Sequence, residues 1–157
     1  ESAGVVGAVH AGWRGAVAGA PAATVAAMEE LGARPERIRY FISPCISLQS
    51  FEVGEEVADA FDAQYVHRSP QWARPHVDLR GAVLGSLRSA GVAAAPCEAT
   101  EDTAAGWCTA ADAPPGAWYS HRRQGAEAGR LAAAIALIRP GVGAGDGEGS
   151  TAPRTNT

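Results

Sequence analysis

The sequence contains no lysine. All 13 positions in the Lys-plus-Arg count are arginine, so every permanent side-chain cation is a planar guanidinium suited to bidentate contact with oxyanions. With heavy use of Ala and Gly, this looks like a GC-rich coding bias more than a functional choice. Cysteine is scarce: Cys45, Cys97 and Cys108 are the three present, and no two are spaced C-x-x-C. That spacing implies neither a disulfide framework nor a zinc ribbon, and it fits free thiols in a reducing compartment. No apolar run is long enough to cross a bilayer and no signal-peptide pattern is visible, so a cytoplasmic location is expected. Excess positive charge is lacking as well. The net charge of −4 gives no electrostatic case for nucleic acid or an anionic membrane as partner. Four familiar signatures are missing: the Gly-rich phosphate loop, the dinucleotide fingerprint, the H-E-x-x-H helix and the G-x-S-x-G elbow.

What the chain does have is enough length, 157 residues, for one domain with a real core, and a globular balance of 46% hydrophobic and 19% charged residues. Its most concentrated stretch is His10-Ala11-Gly12-Trp13-Arg14-Gly15. Gly4-Val5-Val6-Gly7-Ala8-Val9 leads into it as an apolar run whose Val5 to Val9 reads as a buried strand. Ala16 to Leu31 reads as a helix, with Val25, Met28 and Leu31 at helical spacing, a start or restart near Pro21, and a stop at Gly32. A strand feeding polar groups into a Gly-punctuated turn before a helix is a common way to build a site. The chain starts with Glu1 almost directly inside that strand-like run, so the C-terminal part of a longer protein is expected.

Further along, Ile38 to Ile42 is expected as a strand and Ser43 to Ser50 as a loop. Phe51 to Phe61 is expected as an amphipathic helix, with Val53, Val57, Ala60 and Phe61 on one face. Tyr65 to Pro75 reads as irregular. Asp78 is placed to cap a helix from Leu79 to Ala90 that Gly91 closes. Cys97 to Thr100 is a candidate short strand, Asp102 to Gly106 a turn or one helical turn, and Pro114-Pro115-Gly116 a turn. Ala117 to His121 is strand-like. Between helix and strand for Arg130 to Ile138, a final strand is favoured. Residues 1–139 would form the domain and 140–157, rich in Gly, Ser, Thr and Pro, a disordered tail.

Each chemically capable residue has a bland reading beside a functional one. His10 is either a metal ligand or part of a core rim. Trp13 either fills the core or stacks on a flat ligand. Arg14 is an anion binder or a surface ion pair. Ser120-His121-Arg122-Arg123 is a solvated turn or a cationic wall, with Arg130 close by to add charge. Cys45 and Cys108 are more simply structural thiols than nucleophiles or ligands. His67 and His76 read as surface residues. Glu52, Glu55 and Glu56 read as a solvated helix face.

Several stretches, taken in order, resemble the YfiH-type family, also called the laccase-domain or multicopper polyphenol oxidase family. They are the V-H-A-G-W-R-G run ending at Gly15, Pro44-Cys45-Ile46, Ser50-Phe51-Glu52-Val53-Gly54-Glu55-Glu56-Val57, Val77-Asp78-Leu79, Ala90-Gly91-Val92, Cys108-Thr109, Tyr119-Ser120-His121-Arg122-Arg123 and Gly129-Arg130. The resemblance covers roughly residues 4 to 138. It implies an α+β fold, a layered α/β sandwich of mixed sheets flanked by helices, here N-terminally truncated. It also implies a cytoplasmic zinc enzyme that phosphorolyses adenosine, inosine and methylthioadenosine and deaminates adenosine, with purine nucleoside and phosphate as partners. Copper and phenol oxidation are the alternative, and a non-catalytic remnant or binding module is a third. In the family, two histidines and a cysteine hold one metal. His10 matches one of these ligands, while the Q-V-H-type and A-D-C-type segments that bring the other two are absent from this chain. Arg14, Arg122, Arg123 and Arg130 are then candidates for substrate or phosphate, with Gly12, Trp13 and Gly15 in support.

Overall fold

A computed structural model describes residues 3–93, 109, 119–130 and 132–137. Among these residues the fold is α+β: a group of packed helices beside one short antiparallel ladder. The helices are α1 (Trp13–Val17), α2 (Ala20–Glu30), α3 (Glu55–Ala58), α4 (Leu79–Ser89) and α5 (His121–Gln124). The strands are β1 (Val66–His67) and β2 (His76–Val77). Single 3-10 turns lie at Pro35–Arg37, Leu48–Ser50, Ala63–Tyr65 and Gly125–Glu127.

The helical stretch expected over Ala16 to Leu31 restarts near Pro21 as expected: α1 ends at Val17 and α2 begins at Ala20. Gly19 takes a left-handed φ of 76° and Pro21 falls in the first turn of α2, where its missing N–H costs nothing. Pro21 and Val25 are buried, and Met28 lies on the same face with its sulfur over Gly7. Leu31 does not join that face. It sits past the end of the helix and is 70% exposed.

Asp78 caps α4 as expected, its Oδ1 accepting from the Gly81 N–H at 2.8 Å. At the other end, Val92 N–H donates to Leu87 O (3.0 Å) and Gly91 N–H to Arg88 O (2.9 Å). This paired closure satisfies two terminal carbonyls and requires a left-handed residue at Gly91, whose φ is 83°. Helices α1, α2 and α4 pack on one another.

The region expected to be irregular, Tyr65 to Pro75, opens with β1 and leads into β2. Val66 pairs with Val77 and His67 with His76. Residues 51–53 flank the other side of β2. Glu52 bridges His76, Val53 N–H donates to Pro75 O (2.9 Å) and Val77 N–H to Phe51 O (3.2 Å). The first residues of the helix expected over Phe51 to Phe61 are therefore extended, and only Glu55–Ala58 is α-helical. The helical spacing of Val53, Val57 and Phe61 competed with the two-residue spacing of Phe51 and Val53, and pairing to β2 favours the latter. Phe51, Val53, Ala58 and Val77 form the core cluster, covered by Trp13, Ile46, Val57, Phe61, Val66 and Leu79.

Three expected strands are not hydrogen-bonded strands here. Val5 to Val9 is neither paired nor buried, with Val6 39% and Val9 46% exposed. Residues 38–42 keep the two-residue alternation of half-buried and exposed positions but form no ladder. Residues 132–137 are exposed throughout and unpaired, although Leu137 reaches toward Gly4. A strand needs a neighbour for its N–H and C=O groups, and the described residues place none beside these segments. Tyr119 and Ser120 are not in a strand either, and His121 opens α5 instead. The expectations for Cys97–Thr100, Asp102–Gly106, Pro114–Gly116, residues 117–118 and the 140–157 tail lie outside the described residues.

The acids at the start of α3 are not simply solvated. Glu55 forms a two-pronged pair with Arg68, Nη1 to Oε1 at 2.9 Å and Nη2 to Oε2 at 2.6 Å. This ties α3 to the residue after β1. The hydrogen bonds from Arg68, more than its charge, hold the Glu55 carboxyl below its ordinary value.

Three outcomes are expected. Asp78→Ala should cost about 1 kcal/mol in urea denaturation, with Asp78→Asn close to wild type because the acceptor is kept. Gly91→Ala should cost roughly 1–2 kcal/mol for the left-handed backbone. In a carboxyl-resolved NMR titration, Glu55 should titrate below the usual glutamate range and return to it in Arg68→Gln. The pair's small contribution is complete above the unfolded-state value and is lost as pH falls through the lowered folded-state value.

Candidate functional site

The His10–Gly15 turn is built by close approaches that leave little room for a Cβ. A Cβ on Gly12 would lie 3.1 Å from His10 Nε2, and one on Gly15 would lie 3.1 Å from the His10 carbonyl oxygen. The imidazole thus folds back over the turn, exposed to solvent, while Gly12 O accepts from Ala16 N–H at 2.8 Å to start α1. With five residues, α1 is too short to offer the helix terminus that a continuous Ala16–Leu31 helix would present.

Trp13 points the other way, against the core cluster. The Arg14 guanidinium lies 4.3 Å from its ring centroid as a cation–π partner. The core-packing reading of Trp13 holds. One part of the indole packs on the core, and another forms a wall of a cleft of about 290 Å³ lined by Trp13, Phe51, Glu52, Val53, Gly54, Val57, Arg74 and Arg122.

The two arginines of the Ser120–Arg123 cluster part company. Arg122 enters the cleft, donating from Nη2 to the Glu52 carbonyl oxygen at 2.9 Å and lying 5.8 Å from the Phe51 ring centroid. Arg123, on the same short helical turn, is not among the cleft residues. Arg130 is turned back on its own backbone, its Nη1 3.2 Å from Ala128 O. Arg14 stays at the outer side of Trp13. Of the four candidate arginines, the cleft gathers only Arg122.

Two cleft residues escaped the sequence-based selection. Arg74 stands alone before Pro75 in a stretch without periodicity, so it carried no signal. Glu52 had one: the alternation Phe51-Glu52-Val53 marks it as the odd residue of a strand. His76 is a further correction. It is only 4% exposed, its Nδ1–H donates to Leu48 O at 2.9 Å, and Trp72 stacks on it at 4.0 Å between ring centroids. Burial in β2 makes it a structural imidazole. His67 is exposed as expected. Cys45 is half-buried, and its carbonyl accepts from Thr109 N–H at 3.0 Å.

Catalytic zinc takes three protein donors and keeps one position open. Among the described residues no three His, Cys, Asp or Glu side chains converge in a way that would hold a metal ion. His10 offers one imidazole, and the described residues do not fit a complete metal site. No helix among them is long and apolar enough to cross a membrane.

An α+β chain with an imidazole-bearing glycine turn next to an arginine-lined cleft is the class that fold and site define. Residues 1–138 match the family described as multi-copper polyphenol oxidoreductase laccase, and the chain belongs to it. It is similar to a purine nucleoside phosphorylase of Deinococcus radiodurans, 41% identical over 143 residues, covering 87% of this chain and 51% of that protein. It is similar to purine nucleoside phosphorylase ORF3 of Streptomyces griseus, 39% identical over 139 residues, covering 86% and 51%. Adenosine deaminase RL5, from an unknown prokaryotic organism, is 41% identical over 101 residues, covering 60% and 38%. The chain spans about half the length of the curated relatives it matches most extensively.

His76→Ala should destabilise the chain by about 1–3 kcal/mol, because the part-buried Leu48 carbonyl loses its donor and a buried ring is removed. Near-UV circular dichroism should lose intensity as Trp72 loses its stacking partner. An unchanged unfolding midpoint would contradict the buried role.

Proposed function

We propose that this chain is the C-terminal portion, with 1–139 as its domain, of a zinc-dependent purine nucleoside phosphorylase that acts on adenosine, inosine and methylthioadenosine and also deaminates adenosine. The carrying observation is the match, over most of this chain, to proteins named purine nucleoside phosphorylase; the similarity to a protein named adenosine deaminase supports the second activity. Purine nucleoside and phosphate are the proposed partners, the cytoplasm the proposed location, and a layered sandwich of mixed sheets the proposed architecture of the whole protein. His10 is proposed as one metal ligand of that protein. The described residues do not complete the metal site.

What this chain's own groups contribute is positioning. In phosphorolysis a phosphate oxygen bonds to the anomeric carbon as the glycosidic C–N bond breaks and its electron pair leaves with the base. The anionic nucleophile must be held in line without being neutralised by protonation, and guanidinium donors do this. Arg122 is the candidate best placed for it, because its guanidinium lines the cleft while the Glu52 carbonyl fixes its direction. Arg14, Arg123 and Arg130 remain supporting cations in this reading. The family's description favours a second reading, copper-dependent phenol oxidation.

The protein carrying this chain, loaded with zinc, should release adenine from adenosine only when phosphate is present. His10→Ala should lower bound zinc in elemental analysis and reduce turnover by about a hundredfold or more. Phenol oxidation without phosphate-dependent base release would replace this reading with the copper one.

A further inference from the structure

The cleft beside Trp13 holds two guanidiniums in different states of engagement. Arg122 spends one of its five N–H donors on the Glu52 carbonyl. Arg74 has no hydrogen bond or ion pair among the described residues, although it lines the same space. The two come from distant parts of the chain, one before β2 and one on α5, so the fold and not local sequence brings them together. The single acid in the lining is Glu52. Its backbone is fixed by the bridge to His76 and by the bond from Arg122. Trp13, Phe51, Val53 and Val57 supply apolar walls. The volume, about 290 Å³, is close to the lower limit of small-molecule pockets, roughly 300 Å³.

We infer that this cleft is a sugar-phosphate site: Arg74 and Arg122 hold the phosphate oxyanion, and the Glu52 carboxylate accepts hydrogen bonds from the sugar hydroxyls. The chemistry divides cleanly between the groups. Guanidiniums donate in a planar fork that matches phosphate oxygens and cannot accept from a hydroxyl. A carboxylate only accepts, so it suits a diol and repels a bare anion. Two cations and one anion line the cleft, and the Glu56 carboxylate lies against Gly54 at its edge. The preference for a sugar phosphate over other hydroxylated anions rests on the phosphorolysis reading, whose product pairs a pentose with phosphate.

Calorimetric titration of the metal-free chain with orthophosphate and with ribose 1-phosphate tests this. Ribose 1-phosphate should bind more tightly than orthophosphate. Arg74→Gln should weaken both by about tenfold or more, the loss of one charge-assisted hydrogen bond. Arg74→Lys should restore part of the affinity, because the charge returns without the fork. Glu52→Gln should weaken ribose 1-phosphate while leaving orthophosphate unchanged or tighter. Arg88→Gln, on the exposed end of α4, should change neither. Thermal melts check that each variant is folded, and Arg74 is exposed, so its removal leaves the core untouched. Absence of phosphate binding, or equal affinity in Arg74→Gln and wild type, overturns the site. Equal binding of the two ligands by the wild type overturns the role of Glu52. The titration needs neither metal nor turnover, so phosphate binding without nucleoside cleavage would remove the proposed activity and leave the cleft standing. Phosphorolysis with normal phosphate dependence in Arg74→Gln would do the reverse.

Discussion

The pairing of residues 51–53 with β2 is the constraint on which the rest depends. Val77 is fully buried between that segment and β1, and its N–H is satisfied by Phe51 O. Because side chains alternate along an extended segment, the same pairing sends Phe51 and Val53 into the core and fixes Glu52 by its backbone at the edge of the cleft. It also aligns Pro75 beside Val53, which brings Arg74 alongside. Trp13 can then close over the cluster, and the His10–Gly15 turn is carried to the same side. One short ladder thus determines both the core and the composition of the cleft.

Charge placement follows the same logic. The chain's cations are all guanidiniums, yet their roles diverge with their surroundings. Arg68 is engaged by Glu55, Arg14 lies on an indole, Arg130 turns to its own backbone, and Arg122 is aimed by a carbonyl. Exposed ion pairs such as that of Glu55 add little to stability. Arg122 differs because a backbone acceptor, held by the ladder, sets its direction at no cost in compensating charge. The apolar side chains of Val6, Val9, Ile135 and Leu137 remain open to solvent, so the described residues bury a core centred on β2 and leave these extended segments outside it.

Local chemistry made some elements legible. Asp78 and Gly91 bracket α4, and Pro21 marks the start of α2, because caps and prolines act within a few residues of themselves. The glycines of His10–Gly15 announced a tight turn for the same reason. Elements that depend on a distant partner were not legible. Phe51 to Phe61 satisfied a helical period, and only pairing with β2 pulled its first residues into extended form. Val5 to Val9 and residues 132–137 have strand composition, but composition does not supply a neighbouring strand. His76 looked like a surface residue because nothing adjacent in sequence foretells Leu48 O or the face of Trp72.

By itself, the sequence determined the helix boundaries set by caps, the glycine turn that displays His10, the guanidinium character of every cation, and membership in a family through motifs spread along the chain. Tertiary structure alone decided which arginine enters the cleft, that Arg74 and Glu52 join it, and that His76 is buried. The physical reason is range. Caps, turns and side-chain chemistry are properties of neighbouring residues, whereas a cleft is defined by residues that meet only after β2 has found its partners.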